Sequence, residues 1–349
     1  MEDYIKGRGS QINTRNRFSK HEQVLEHFEG IDELPDPDSG TEVFVDHPKQ
    51  IVNKIDSPDL PFLYSLNPYQ GCEHGCSYCY ARNAHQYWGF SAGLDFERKI
   101  IVKPDAARLL KKFFGNKNYT PASISMSGNT DCYQPLERKY RITRSLLEVF
   151  LQYRHPVGII TKNALILRDL DLLKELASMQ LVQVYISLTT LNEELRRIME
   201  PRTASSAQRL KVIETFSANG IPVGVMTAPI IPGLNSDEIP QLLKAAADHG
   251  ALAAGYTMVR LNGSVKEIFG DWLIKNRPDA AQKVWNHIKN AHGGSVSDSR
   301  SGTRMRGEGN MAESVSQVFK LFSKKYFEGR HMPEYNMTHF LRPGQMSLF

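Results

Sequence analysis

The sequence predicts an α/β protein built on a parallel sheet. Two observations carry this. Short apolar runs recur between Pro61 and Val259, and stretches of helical periodicity separate them. A strand–helix–strand order, repeated, returns each strand in the same direction through a right-handed crossover. The six candidate strands are too few for a complete eight-fold barrel, which leaves a partial barrel or a doubly wound sheet.

Residues 1–60 read as an N-terminal arm and lead-in segment. Arg8, Arg15, Arg17 and Lys20 make a basic start. An acidic stretch follows, from Glu22 through Glu26, Glu29, Asp32 and Glu33 to Asp36 and Asp38, and Leu34–Gly40 has turn and linker chemistry. The favoured reading is a loosely held arm, with a basic arm on a phosphate backbone as the sharper one. The strands are placed at Phe62–Ser65, Ser123–Met126, Val157–Thr161, Val182–Leu188, Pro222–Met226 and Gly255–Val259. Between them, Ile239, Leu242, Leu243 and Ala246 share a helix face, as do Leu210, Ile213 and Phe216. Leu165, Leu172, Leu173 and Leu176 mark another helix, and Gly220 is a helix stop. The barrel unit is bounded at 61–262 and a helical extension at 263–340. In that extension Trp272, Trp285 and Ile288 lie on helices broken at Pro278. Residues 293–309, with Arg300, Arg304 and Arg306, form a mobile loop over the sheet's mouth or a linker. Ser314–Tyr326 is a final amphipathic helix.

Composition narrows the class. A 39.5 kDa chain with 41% hydrophobic and 23% charged residues suits one large globular unit. No apolar run approaches a membrane span, and the polar start MEDYIKGRGS is not a signal peptide. Four cysteines, three of them clustered, are not a disulfide framework, so a reducing cytoplasm is expected. Net charge of +5 is compatible with nucleic acid without arguing strongly for it.

The chemistry concentrates in Asn67–Arg82, NPYQGCEHGCSYCYAR. Cys72, Cys76 and Cys79 have CxxxCxxC spacing, and Cys132 is the remaining cysteine. Three thiolates can hold three irons of a 4Fe–4S cluster and leave the fourth iron open, as reactive centres require. The other reading is structural zinc, with His74 or His85 as the fourth ligand. Zinc sites usually pair two short Cys/His spacings, and no second one exists here. Gly71 and Gly75 are expected to keep the loop free of β-carbons so that it can wrap closely round a bulky cluster. Ser77–Ala84 reads as a helix leaving the loop.

With an aromatic residue before its last cysteine, the motif resembles the radical S-adenosylmethionine (SAM) superfamily. Together with GNTDCYQPLE and ITKNALILRD, the stretch resembles the subgroup related to spore photoproduct lyase, from about Gly7 onward. The resemblance implies a partial (β/α)6 TIM-like barrel, a 4Fe–4S cluster on Cys72, Cys76 and Cys79, and S-adenosylmethionine as cofactor. It also implies an electron donor such as flavodoxin or ferredoxin. Ligands collect at the C-terminal ends of parallel strands, and the residues there match the lyases' cofactor contacts. Thr130 or Asp131 would serve the cofactor's ammonium, Lys162 its carboxylate and Ser187 a ribose hydroxyl. Tyr78 and Tyr80 flank Cys79 as radical-relay tyrosines do in the lyases, with aromatic packing as the plainer role. Gly128 stands where those lyases carry a reactive cysteine. Cys132 is then the one spare thiol for hydrogen return, with a small core residue as the plainer reading. Arg168 and Glu200-Pro201-Arg202 are subgroup marks. Arg168 would hold a phosphate or carboxylate, or pair with Asp169 or Asp171.

The tail, 341–349, ends in Gln345-Met346-Ser347-Leu348-Phe349. It resembles the peptide by which bacterial repair and replication proteins dock on the sliding clamp, through Gln345, Leu348 and Phe349. The expected function is a lyase-like radical enzyme acting on damaged or modified DNA. The alternatives are the same chemistry on tRNA, protein or a small metabolite, and a non-enzymatic iron–sulfur or zinc module.

Overall fold

The computed structural model describes residues 4–18 and 40–342. The acidic stretch Glu22–Asp38 and the tail peptide Gln345–Phe349 lie outside the described residues. Ten strands follow in order: β1 (Glu42–Val45), β2 (Val52–Lys54), β3 (Tyr64–Leu66), β4 (Tyr69–Gln70), β5 (Lys99–Val102), β6 (Ile124–Met126), β7 (Val157–Thr161), β8 (Val182–Ser187), β9 (Val223–Ile230) and β10 (Ala254–Met258).

The main sheet has the order β10-β9-β8-β7-β6-β3-β2. Its six strands from β3 to β10 are all parallel, and β2 joins antiparallel at the end. These six parallel strands are the six the sequence marks, shifted by a residue or two, with β9 running on to Ile230. Each is followed by an outer helix: Ala106–Phe114, Ile142–Gln152, Leu170–Ser178, Ser206–Ala218, Ile239–Asp248 and Gly309–Phe327. The helix stripes read from periodicity face the sheet, except that Leu165 falls in a separate 3-10 turn, Ala164–Asp169, ahead of the helix that carries Leu172, Leu173 and Leu176. Ile213, Phe216, Ile239, Leu242, Leu243 and Ala246 are all buried in one core with Val184, Val223 and Val225. Gly220 takes φ +70° after the helix that precedes β9, a backbone shape that favours glycine.

The two outer strands do not pair with one another, so the barrel is incomplete. Residues 298–306 bridge the opening. On one side the Met258 amide at the end of β10 donates to Met305 O at 2.9 Å. On the other, Arg304 donates to Asp59 Oδ2 (2.5 Å) and Ser57 Oγ (2.5 Å), just after β2, and the Gly302 amide to Asp59 Oδ1 (2.8 Å). The Leu261 amide also donates to Val296 O at 2.8 Å. Pinned at both ends, this segment is neither a mobile loop nor a linker.

A second, three-stranded sheet, β1-β5-β4, lies beside the cysteine motif. Its strands are short and drawn from the arm, the motif and the segment after it, and local periodicity does not mark them. The arm itself is a correction. The amides of Gly9 and Ser10 donate to the buried Glu97 carboxylate (3.2 and 2.7 Å), and the Thr14 amide to Ser91 Oγ (2.8 Å). Residues 8–14 are therefore fixed against the motif rather than loosely held.

Candidate cofactor and active site

The cysteine motif lies between β4 and a short helix, Arg82–His85. The helix expected over Ser77–Ala84 begins only at Arg82. Before it, the chain runs in tight turns: Cys79 N bonds Cys76 O (3.3 Å), and the Ser77 amide is taken by Met199 O (3.0 Å). Cys72 and Cys76 are buried and Cys79 is partly buried. Burial raises all three thiols above their ordinary pKa, most strongly Cys72, where the nearby Asp131 carboxylate adds to it.

Gly71 and Gly75 serve the loop differently from the expectation. Both take positive φ, +79° and +66°. A β-carbon on Gly71 would sit 3.0 Å from Lys99 O, and one on Gly75 2.7 Å from the Glu97 carboxylate. They allow tight turning and close packing on β5 and the arm, not clearance toward a cluster. Gly9 repeats the logic, since a β-carbon there would lie 1.6 Å from Gly75 O.

A buried ion pair ties the loop down. Arg82 donates through Nε to Cys76 O (3.0 Å), through Nη1 to Ala92 O (3.2 Å) and Gly93 O (2.9 Å), and through Nη2 to Glu97 Oε1 (2.5 Å). Glu73 and Gln134 fasten the other side. The Glu73 amide donates to Gln134 Oε1 (3.0 Å), Gln134 Nε2 to Gly71 O (3.1 Å), and the Leu136 amide to Glu73 Oε2 (2.7 Å).

The residues named at strand ends fall around this loop. Thr130 Oγ1 donates to Tyr69 O (2.6 Å), joining the loop after β6 to the motif. Asp131 accepts from Thr161 Oγ1 (2.7 Å) and the Tyr133 amide (2.9 Å) on one oxygen, and from the Lys162 amide (2.8 Å) on the other. His74 Nδ1 lies 3.4 Å from that second oxygen. Burial works against the Asp131 carboxylate, but His74 and these donors outweigh it and hold its pKa at about 2. The Lys162 ammonium is 6.0 Å from the Tyr78 ring centroid and makes no hydrogen bond among the described residues. Burial opposes its charge, yet Glu200 and Cys76 raise its pKa on balance. Ser187 closes β8 and gives its carbonyl to Arg209 Nη1 (3.0 Å).

Glu200 carries more of the site than sequence reasoning gave it. Fully buried, it accepts from Tyr78 Oη, Thr189 Oγ1 (2.7 Å) and Arg209 Nη2 (2.6 Å). Desolvation alone would raise its pKa; Arg209 and Lys162 bring it down to about 2. Glu200 therefore connects Tyr78 of the motif to β8 through Arg209. The Glu-Pro-Arg mark was visible in the sequence, but its partner Arg209 lies one helix away, and no spacing rule links them.

Other readings are revised. Arg168 is not a ligand group: it pairs with Glu137 (2.7 Å) and Asp169 (2.7 Å), while Arg144 takes Asp171 (2.7 Å). His74 Nε2 faces Asn163 Nδ2 (3.1 Å), and His85 is buried between Phe90 and Phe96, so neither completes a zinc site. Among the described residues no three His, Cys, Asp or Glu side chains converge where one metal ion could be held. The three thiols nonetheless feel one another's charge. Cys132 lies apart, fully buried in the main core with Tyr69 and Tyr133, its thiol pushed well up by burial and its carbonyl taken by Thr143 Oγ1 (2.6 Å). Tyr80 is half exposed, and its hydroxyl donates to Gly128 O (2.6 Å).

Residues 66–246 match the family model described as the Radical SAM superfamily, slightly more than half of the chain. The chain belongs to the radical SAM superfamily. An uncharacterized protein of Mycobacterium tuberculosis is 33% identical over 238 residues, 67% of this chain and 70% of that protein. A radical SAM Nalpha-GlyT isomerase of Pseudomonas phage M6 is 26% identical over 186 residues, 52% of this chain and 36% of that protein. Among solved structures, spore photoproduct lyase complexed with dinucleoside spore photoproduct superposes with a TM-score of 0.62 at 16% identity, covering 84% of this chain and 82% of that one. That likeness shows a shared fold, the partial barrel expected.

The superfamily's cofactors are a 4Fe–4S cluster and S-adenosylmethionine, and the residues present fit both. Beside the three thiols, Ser77 Oγ and Gln70 Nε2 are buried without a hydrogen-bond partner among the described residues. Buried polar atoms are seldom left so, and a polar cofactor would complete them.

Proposed function

We propose that the protein is a lyase-like radical SAM enzyme whose substrate is damaged or modified DNA. Cys72, Cys76 and Cys79 would hold the cluster. When bound, the cluster and S-adenosylmethionine supply a 5′-deoxyadenosyl radical able to remove a hydrogen atom from carbon. The Lys162 ammonium, without a hydrogen bond of its own, is placed to take the cofactor's carboxylate as a point charge. Thr130 Oγ1 keeps lone pairs for the ammonium while its proton holds Tyr69 O. Asp131 already uses both oxygens, so it acts mainly by fixing Lys162 and Thr161. Ser187 Oγ, uncommitted among the described residues, is assigned the ribose. Tyr78, bonded to Glu200, aligns the motif, and the barrel wall keeps water from the reacting centre. Tyr80 is the relay candidate, since its ring adjoins Cys79 and remains half exposed. Cys132, sealed in the core, is assigned to packing rather than hydrogen return.

The observation that carries the DNA reading is the shared fold with an enzyme solved with a dinucleoside photoproduct. Anaerobic protein reconstituted with iron and sulfide and reduced with dithionite should release 5′-deoxyadenosine, and the Cys76→Ala protein should not. DNA deuterated at its thymine positions should pass the label into that 5′-deoxyadenosine. Label arriving instead from tRNA or a peptide, with none from DNA, would overturn the substrate class while leaving the radical chemistry standing.

A further inference from the structure

Arg260 lies two residues past the end of β10, at the mouth of the barrel. Its guanidinium sits 5.8 Å from the ring centroid of Tyr80, the residue that follows Cys79. Tyr80 in turn bonds Gly128 O after β6, so Arg260 covers a ring that spans the mouth beside the cluster ligands. The neighbouring backbone is well anchored: Asn83 donates to Asn262 O (2.7 Å) and accepts from the Ser264 amide (3.1 Å). The arginine is thus held on a fixed turn.

What it lacks is a counter-ion. Asp59 and Asp298 are the carboxylates whose charge reaches it. Both are already committed. Asp59 gives one oxygen to the Gly302 amide and the other to Arg304. Asp298 is held by Arg300 through both oxygens (3.1 and 3.0 Å) and by Thr303 (3.1 Å). Arg304 adds a second positive charge nearby. Burial first, and this neighbour second, lower the Arg260 pKa. Among the described residues Arg260 makes no hydrogen bond or ion pair. A partly buried guanidinium with an aromatic ring but no hydrogen-bond or ionic partner is unfavourable unless a ligand anion completes it.

We propose that Arg260 binds a backbone phosphate of the substrate at the barrel mouth, an inference that rests on the DNA reading above. A guanidinium fork suits a phosphodiester's two free oxygens. Its position beside Tyr80 would set which nucleotide reaches the cofactor.

The test is a fluorescence-anisotropy titration of the reconstituted holoenzyme with a short fluorescein-labelled DNA duplex, at several salt concentrations. Arg260→Gln should weaken binding about tenfold at low salt, as expected for a charge-assisted contact. It should also reduce the slope of log K against log salt by about 0.9, the signature of one lost phosphate contact. Between roughly 50 and 200 mM salt this narrows the defect about threefold. Arg260→Lys should restore the slope and most of the affinity. An Arg260→Gln slope equal to wild type, with the wild type binding DNA, overturns the phosphate contact and spares the DNA reading. If the wild-type holoenzyme does not bind the duplex, the DNA reading fails and the assignment fails with it. Equilibrium dialysis with S-adenosylmethionine separates the remaining source of an anion. Loss of cofactor affinity in Arg260→Gln would assign the arginine to the cofactor's carboxylate and refute the proposal.

Discussion

Replacing Glu97 by Gln is expected to loosen the cysteine motif from behind. Glu97 is fully buried, as is Arg82, and its carboxylate accepts from Arg82 and from the amides of Gly9 and Ser10. A glutamine keeps one acceptor, turns an NH2 toward donors and leaves the guanidinium uncompensated. Removing one partner of a buried pair costs about 3–5 kcal/mol. With an unfolding entropy of roughly 2.1 cal/mol/K per residue, a chain of 349 residues should melt about 4–7 °C lower. The arm and the Cys76 carbonyl both depend on this pair, so iron bound per chain after anaerobic reconstitution should fall as well. Thermal melts of the apo protein and iron assays read the two effects. The double variant Arg82→Met/Glu97→Met should recover only part of the melting temperature, because no charge is stranded but the Gly9 and Ser10 amides and the Cys76 carbonyl still lose these side-chain partners. A Glu97→Gln protein that melts within about 1 °C of wild type and binds full iron would refute this account of how the loop is held.

Three further outcomes are expected. His155 is buried beside Phe114 and Tyr119, and burial lowers its pKa from 6.5 to about 3, so only the unfolded chain gains its proton between those values. Stability contributed by this group is whole above pH 6.5 and lost below it by about 1.4 kcal/mol per pH unit. Unfolding free energies from urea titrations at pH 7 and near 4.5 should therefore differ by roughly 2–3 kcal/mol more in wild type than in His155→Gln. Lys162→Met should lower S-adenosylmethionine affinity about tenfold, by equilibrium dialysis, and leave the melting temperature nearly unchanged, whereas Asp131→Asn should lower both. A synthetic Gly344–Phe349 peptide should bind the bacterial sliding clamp in a fluorescence titration, and alanines at Leu348 and Phe349 should abolish it; no binding at high micromolar clamp removes that partner.

The six parallel strands were legible because each is an apolar run bounded by a helix whose stripe repeats at 3.6 residues, as Ile239, Leu242, Leu243 and Ala246 do. The candidate cluster ligands stand out in the sequence because three cysteines at one spacing need no tertiary information. The small sheet was not: β4 has two residues and β5 four, and β5 pairs with β4 of the motif on one side and with β1 of the arm on the other. The arm's attachment was hidden for the same reason. Gly9 and Ser10 contribute backbone amides, and an amide that will bond Glu97 leaves no trace in side-chain pattern. Glu200 shows a different limit. Its residue type was noticed, but its role depends on Arg209, Thr189 and Tyr78 arriving from three separate elements.

The strand-end residues expected to contact the cofactor are Thr130, Asp131, Lys162 and Ser187, and the hydrogen bonds sort them and their neighbours into two sets. Asp131, Glu200, Arg209 and His74 spend their polar atoms on one another and on the motif. They form a frame, and a ligand could recruit them only by breaking bonds already made. Ser77 Oγ is buried without a hydrogen-bond partner among the described residues, and there the Lys162 ammonium and the Arg260 guanidinium have only the rings of Tyr78 and Tyr80 beside them. Burying such groups costs free energy that folding alone does not return. The frame keeps them in place at that cost, since Asp131 fixes the Lys162 backbone and Arg209 the Ser187 carbonyl. Preorganised donors of this kind meet a charged ligand without rearranging, which is what an enzyme that must aim a short-lived radical requires.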